Sequence, residues 1–274
     1  MTEHGRLFDD VAEAYDRFRP SYPASLVDEA CSIGGFGAGS RVLEIGCGTG
    51  KLTVALAERG LDVEAVDPAP RMVQIARRHV PSARFHIASF EDVELPSGAF
   101  DAAFSATAFH WVAPEVSWCK TARLLRPGGL LALIWYVGGS MELDTEILAA
   151  WRAVLPEAAD WPTRDDRTFL EGAQERRGNV SELWSWLGRR DLTRPEAADL
   201  FTDVHMSTEL IDTAESAEEL IGHIRTTSAY LRLDAERRGV LERSVADLIE
   251  AQGGTYRSSH FATLVTARAA GPRT

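Results

Sequence analysis

Residues 41 to 50, RVLEIGCGTG, constrain this chain more than any other stretch. A short apolar run of Val42, Leu43 and Ile45 leads into glycines at alternating positions, Gly46, Gly48 and Gly50. The helical pattern KLTVALAERG follows directly. Glycines at a strand-to-helix turn let the backbone take positive φ and let a ligand approach the main chain closely. The spacing is G-x-G-x-G, unlike the G-x-G-x-x-G of dinucleotide-binding turns. An acidic residue, Glu44, precedes the first glycine by two positions.

The segments around this turn alternate strand and helix. Upstream, residues 7 to 19 carry Leu7, Val11, Ala14 and Phe18 at helical spacing, which predicts an amphipathic helix broken by Pro20 and Pro23. A second helix is expected over 24 to 33, and residues 1 to 33 together read as an N-terminal helical lid. Downstream, LDVEAVDP gives a strand ending on Asp67. Helix 70 to 79, a strand ending near Ser89, a strand from Phe100 to Ser105, helix 116 to 126 and the continuous apolar run LLALIWYV come next. Such a run suits a strand buried on both faces. Repeated β–α alternation implies a parallel sheet covered by helices on both faces, with ligands outside the carboxyl ends of the strands. The glycine turn, Asp67, Ser89 and the loop from Ala106 to Trp111 all fall on that edge. A carboxylate ending the second strand is placed to accept both hydroxyl hydrogens of a ribose.

Residues 139 to 200 change character, being helical, charged and rich in tryptophan (Trp151, Trp161, Trp184 and Trp186). A strand is expected over 205 to 212, two helices over 214 to 252, and a last strand in TYRSSHFATLVTARA. The stretches 139–200 and 214–252 read as helical caps on one fold spanning 1–274.

Composition narrows the function. The net charge of −12 disfavours nucleic acid and anionic membrane surfaces, which need a basic face. Three cysteines, Cys31, Cys47 and Cys119, lack metal-ligand spacing and are odd in number, so no disulfide framework and no metal site are expected. The N-terminus lacks the apolar core of a signal peptide. No apolar run approaches the roughly 20 residues of a membrane span. These features predict a cytoplasmic protein, monomeric or homodimeric.

Taken together, EIGCGTG, VEAVDP, ASFEDVELPSGAFD, SATAFHWV and LLRPGGLLALIW resemble the class I methyltransferases that use S-adenosylmethionine (SAM). The N-terminal F-x-x-V-A-x-x-Y-D-x-x-R-P-x-Y-P pattern and the F-H-W loop are similar to the small-molecule branch containing trans-aconitate and ubiquinone- or menaquinone-biosynthesis-like enzymes. The resemblance implies an α/β, Rossmann-like, seven-stranded, mostly parallel sheet with an antiparallel last strand. It implies that Gly46, Gly48 and neighbouring main chain, Cys47 included, hold the methionine end of SAM, with Glu44 shaping the turn. Asp67, flanked by Pro68 and Met72, would take the ribose, and Ser89, Phe90 and Glu91 would surround the adenine. Many relatives carry Asp where Ser89 stands. Thr107 would line the methyl-donor side, and Tyr15 with Tyr22 would close over it.

Methyl transfer from an activated sulfonium needs alignment and exclusion of water. A hydroxyl, enol or amine acceptor also needs a base. His110 is the first candidate base and Tyr22 the second candidate catalytic group; His110 could equally anchor its loop beside Trp111. A carboxylate acceptor needs no base, and arginines such as Arg19 or Arg225 would then bind it. Tyr15, Arg19, Tyr22, His110, Trp111, Tyr136, Trp184, Arg225 and Tyr230 are the candidate substrate contacts, fitting a small apolar or aromatic metabolite. His86, His223 and His260 are expected to be structural or surface residues. Two other activities fit the same residues: an enzyme that uses SAM without transferring its methyl group, and a non-catalytic SAM sensor.

Overall fold

The computed structural model describes residues 7–138, 142–160, 166–188 and 192–271. Its first helices are α1 (Ala12–Phe18) and α2 (Ala24–Gly34), with a 3-10 turn at Asp9–Val11 ahead of them. Pro20 and Pro23 lie between α1 and α2, as the sequence predicts. The alternating core follows: β1 (Arg41–Ile45), α3 (Lys51–Glu58), β2 (Asp62–Asp67), α4 (Pro70–His79), β3 (Arg84–Ile87), β4 (Phe100–Ala106), α5 (Pro114–Leu124) and β5 (Leu125–Gly138). Pro at the first turn of α4 and of α5 fits there because that N–H has no intrahelical acceptor. The remaining elements are α6 (Glu142–Val154), α7 (Asp166–Glu175), α8 (Val180–Gly188), α9 (Ala197–Leu200), β6 (Phe201–Glu215), α10 (Ala217–Arg225), α11 (Ser228–Leu231), α12 (Ala235–Ala251) and β7 (Tyr256–Ala269).

The strands form one seven-stranded sheet in the order β3-β2-β1-β4-β5-β7-β6. Neighbours from β3 to β5 are parallel, and β7 runs antiparallel to both β5 and β6. The predicted antiparallel last strand is therefore present. Side chains alternate across the pleat. Leu43, Ile45, Leu131 and Leu133 pack on one face with Trp118 of α5 and Leu183 and Trp184 of α8. Val42, Leu130, Ala132 and Ile134 pack on the other with Leu26 and Val27 of α2 and Leu52 and Leu56 of α3. Burying both faces forces the apolar runs seen in β4 and β5.

A separate apolar cluster joins Trp151 and Val154 of α6, Leu220 and Ile224 of α10, and Leu241, Val245 and Ile249 of α12. The stretch 139–200 thus divides: α6 joins the helices of 214–252, while α8 and α9 pack against the sheet. Trp161 lies outside the described residues. The first of the two helices expected over 214 to 252 is itself two, α10 and α11, because Thr226 and Thr227 turn their hydroxyls onto the carbonyls of His223 and Ile224. Such local side-chain bonds compete with helix continuation. Strand β6 begins four residues earlier and ends three later than the sequence pattern suggests, carried by its ladder to β7. Among the described residues no helix is long and apolar enough to cross a membrane.

Candidate active site

A cavity of about 810 Å³ opens at the carboxyl ends of β1, β2 and β4. Its floor is the glycine turn. Gly46, Gly48 and Gly50 hold φ of 76°, 53° and 89°, as the sequence predicts. The amides of Gly46 and Cys47 donate to the carbonyl of Val66 at 2.8 and 3.2 Å, which pins the turn to β2. A Cβ on Gly46 would stand 2.3 Å from that of Ala108, whereas one on Gly48 would meet no atom within 4 Å. Gly46 is thus required for packing against the loop after β4. Gly48 leaves main chain open to a ligand. Between Gly48 and Gly50, the Thr49 hydroxyl is buried without a hydrogen-bond partner among the described residues. A buried hydroxyl left unmated is costly, so a ligand that reaches it gains from pairing it.

Glu44 sits beneath the turn, fully buried, and accepts a hydrogen bond from the Thr53 hydroxyl at 2.6 Å. Burial pushes its carboxyl up to about 8, against the lowering effect of that bond. Glu44 therefore ties β1 to α3 as well as lining the cavity. Burial likewise raises the Cys47 thiol well above its usual range, so it packs as a small neutral group.

Asp67 ends β2, as predicted, and lines the cavity. Its Oδ2 accepts from the Gly48 amide and its Oδ1 from the Ala69 amide, both at 2.9 Å. A carboxylate offers about four acceptor sites, so two remain for a diol. Burial raises this carboxyl to about 6, and the two amides oppose the shift. Pro68 and Met72 line the wall beside it.

Ser89, Phe90 and Glu91 reach the cavity from the turn after β3. The Ser89 hydroxyl is already engaged, donating to Asp92 Oδ2 at 2.7 Å and accepting from the Asp92 amide at 3.2 Å. Ser89 therefore builds the turn by pairing its hydroxyl with Asp92, which is off the cavity wall. Glu91 accepts from the Ala113 amide at 3.0 Å, fastening the loop before α5. Lys120 lies 5.2 Å from the centre of the Phe90 ring and donates to the Glu91 and Val93 carbonyls. This turn is one rigid piece.

The loop after β4 supplies Thr107, His110 and Trp111. Thr107 holds φ of 50°, a strained value for a β-branched residue. Tyr22 Oη lies 2.5 Å from Thr107 Oγ1 and donates to the Ala106 carbonyl at 3.3 Å. Its ring stacks on Tyr136 with centroids 5.6 Å apart. Burial, chiefly, raises the Tyr22 phenol, so it acts as a neutral donor that holds the loop. His110 packs against Trp111 and edge-on against Trp135.

The N-terminal segment closes one side. Tyr15 packs edge-on against Phe8, and the Arg19 guanidinium lies 5.3 Å from the Tyr15 ring centre. Phe8 also meets Trp111 edge-on, joining the segment to the loop after β4. The opposite wall comes from α10 and the paired ends of β6 and β7, including Glu215, His223, Thr227, Ser258 and His260.

Several expectations fail here. His223 and His260 line the cavity, where structural or surface positions were expected; His86 does pair with Glu64, at 2.8 Å. Trp184 is wholly buried behind Trp135, whose ring it meets edge-on, and does not reach the cavity. Arg225 points away from the cavity and clasps Glu242 through Nε and Nη2 at 2.8 and 2.7 Å. Tyr230 donates its hydroxyl to the same Glu242 and is also off the cavity wall. Arg225 lies two positions beyond His223 on α10, and residues two apart on a helix lie on different faces. Leu220 and His223, spaced i and i+3 on α10, face inward, and Thr227 joins them from the turn after that helix.

Residues 43–133 match the family model described as a methyltransferase domain. That segment is similar to a methyltransferase domain. An uncharacterized methyltransferase of Mycobacterium tuberculosis is 44% identical over 128 residues, 47% of this chain and 51% of that protein. A demethylmenaquinone methyltransferase of Tropheryma whipplei is 34% identical over 139 residues, 47% of this chain and 56% of that protein. A solved structure from Anaeromyxobacter dehalogenans, provisionally assigned as a type II methyltransferase, has a TM-score of 0.60 at 28% identity, covering 93% of this chain and 98% of that one. The chain spans about half the length of the curated relatives it matches. The matched segment runs from β1 into β5 and contains the glycine turn, Asp67, the Ser89 turn and the Thr107–Trp111 loop. The matched segment thus supplies the floor and one wall, and the N-terminal and C-terminal segments supply the rest.

Proposed function

We propose that this protein transfers a methyl group from SAM to an oxygen, nitrogen or carbon nucleophile of a small molecule. One observation carries the reading. The open glycine turn with its unmated Thr49 hydroxyl, the Asp67 carboxylate, and the Ser89–Glu91 turn line a single cavity beside a strained Thr107. Amides at the start of α3 and the Thr49 hydroxyl suit an amino-acid end. The two remaining acceptor sites on Asp67 suit a ribose diol. Phe90 and Met72 offer apolar surface to a base.

When bound, SAM would supply an electrophilic methyl group on a positively charged sulfur, which would leave as the neutral thioether. The protein's residues then align, exclude water and accept any proton. Tyr22 and Thr107 fix the loop that borders the transfer path. Trp111, Phe8 and Tyr15 close the side facing solvent. His110, on the loop after β4, is the imidazole on the cavity wall placed to take a proton from a neutral nucleophile. The cavity volume is near the upper end of the roughly 300–1,000 Å³ of single-ligand pockets, which suits a donor and a small acceptor together.

Titration calorimetry with SAM and with S-adenosylhomocysteine tests the reading. Micromolar binding of both is expected, and no binding of either refutes it. Incubation with methyl-labelled SAM and a panel of phenols, acids and amines then tests transfer; tight binding without label in any acceptor argues for a sensor or another SAM-using reaction.

A further inference from the structure

We infer that the methyl acceptor carries a carboxylate and that Arg19 binds it. This inference rests on the proposed function and names the substrate class of the same cavity. Arg19 leaves α1 and lines the cavity half-buried. Its Nε donates to Thr226 Oγ1 and its Nη2 to the Thr226 carbonyl, both at 2.9 Å. Its Nη1 lies 3.2 Å from His223 Nε2. Arginine can only donate, so that nitrogen is the acceptor and the ring hydrogen sits on Nδ1, which faces Glu215 Oε1 at 3.9 Å. Glu215 thus lies beside the Nδ1 side of His223 without a hydrogen bond, and the opposite ring nitrogen accepts from the guanidinium.

Every hydrogen-bond acceptor that Arg19 meets is neutral. Among the described residues no carboxylate forms an ion pair with it, whereas Arg17 two positions earlier pairs with Glu218 at 2.8 Å. A guanidinium has five N–H donors, and three are used. Two remain, on a cation removed in part from water and lacking a counter-charge. Burying such a charge is costly unless an anion meets it. A planar fork held by three bonds suits a carboxylate, which accepts two parallel N–H groups.

The position separates this anion from the donor's own carboxylate. The donor's amino-acid end meets the glycine turn and the start of α3, where Lys51 also lines the cavity. Arg19 is fastened instead to α10, on the wall with His223. Trp111, Trp135 and Tyr136 supply apolar surface in the same space. The geometry points to an acid with an apolar or aromatic body.

The test uses the whole chain saturated with S-adenosylhomocysteine. Benzoate, cinnamate and decanoate are titrated against benzamide, cinnamamide and decanamide. Wild type is expected to prefer at least one acid over its amide by roughly tenfold or more, as a charge-assisted pair should. Arg19→Met should bring that ratio to about one, and Arg19→Lys should retain part of it. The acid-to-amide ratio is unmoved by a general loosening of the lid, which weakens both members of a pair alike. An acid preference unchanged in Arg19→Met, or no preference for any acid in wild type that binds S-adenosylhomocysteine, overturns the inference. So does a tenfold loss of S-adenosylhomocysteine affinity in Arg19→Met with its decarboxylated analogue unaffected, which assigns the guanidinium to the donor. Failure of wild type to bind S-adenosylhomocysteine at all instead removes the proposed function.

Discussion

The glycine turn separates packing from ligand approach, and two alanine substitutions read the two apart. Both positions hold positive φ, so an alanine at either costs roughly 1–2 kcal/mol of backbone strain. At Gly46 the new Cβ also falls 2.3 Å from the Ala108 Cβ. Carbon atoms settle at about 3.5–4.0 Å, so the loop bearing Thr107 and His110 must move by more than an ångström. Overpacking of that kind adds roughly 1–3 kcal/mol, for a total near 2–5. At Gly48 nothing lies within 4 Å, so strain is the whole cost. With about 2–4 °C per kcal/mol for a chain of this size, Gly48→Ala should lower Tm by roughly 2–8 °C and Gly46→Ala by roughly 4–20 °C. Gly48→Ala should nonetheless weaken S-adenosylhomocysteine more than about tenfold, because its methyl group occupies the space from which a ligand meets the main chain. Thermal unfolding and calorimetry on both variants measure the two effects. Equal destabilisation of the two variants, or wild-type affinity in folded Gly48→Ala, would refute the division of roles.

The remaining expectations concern charge and the corrected residues. The ligand-free Asp67 carboxyl is raised to about 6, and a diol needs its ionised form. S-adenosylhomocysteine affinity should therefore fall roughly tenfold per unit below pH 6, and calorimetry should show a flat profile in Asp67→Asn. Glu44 is raised from 4.5 to about 8, so the folded chain keeps a proton that the unfolded chain releases between those values. Its stability is present below pH 4.5 and lost as pH rises towards 8. Glu44→Gln should gain on wild type across that window by an amount on the order of a few kcal/mol, measured by urea unfolding at pH 5 and pH 8. Trp184→Ala should cost roughly 3–5 kcal/mol of stability. Arg225→Met should cost about 1 kcal/mol or less. The folded protein of both should bind S-adenosylhomocysteine within about twofold of wild type, and a larger loss would return either residue to the site.

Amino-acid order alone determined the architecture from β1 to β5 and the glycine-turn side of the cavity. These depend on local signals. Glycines mark the turn, apolar runs mark strands buried on both faces, and the sheet's connectivity then carries Asp67, the Ser89 turn and the Thr107 loop to one edge. What a side chain does there was less legible. Ser89 is at the expected place, but its hydroxyl goes to Asp92, because a free polar group near a backbone amide pairs locally first. The opposite wall required the tertiary structure. Arg19 lies 204 residues from His223, and no spacing in the chain relates them. Arg225 and Arg19 look alike in sequence. Only packing shows that one clasps Glu242 and the other faces the cavity without a counter-charge. Which helix face turns inward, and which charges find partners, is settled by long-range contacts.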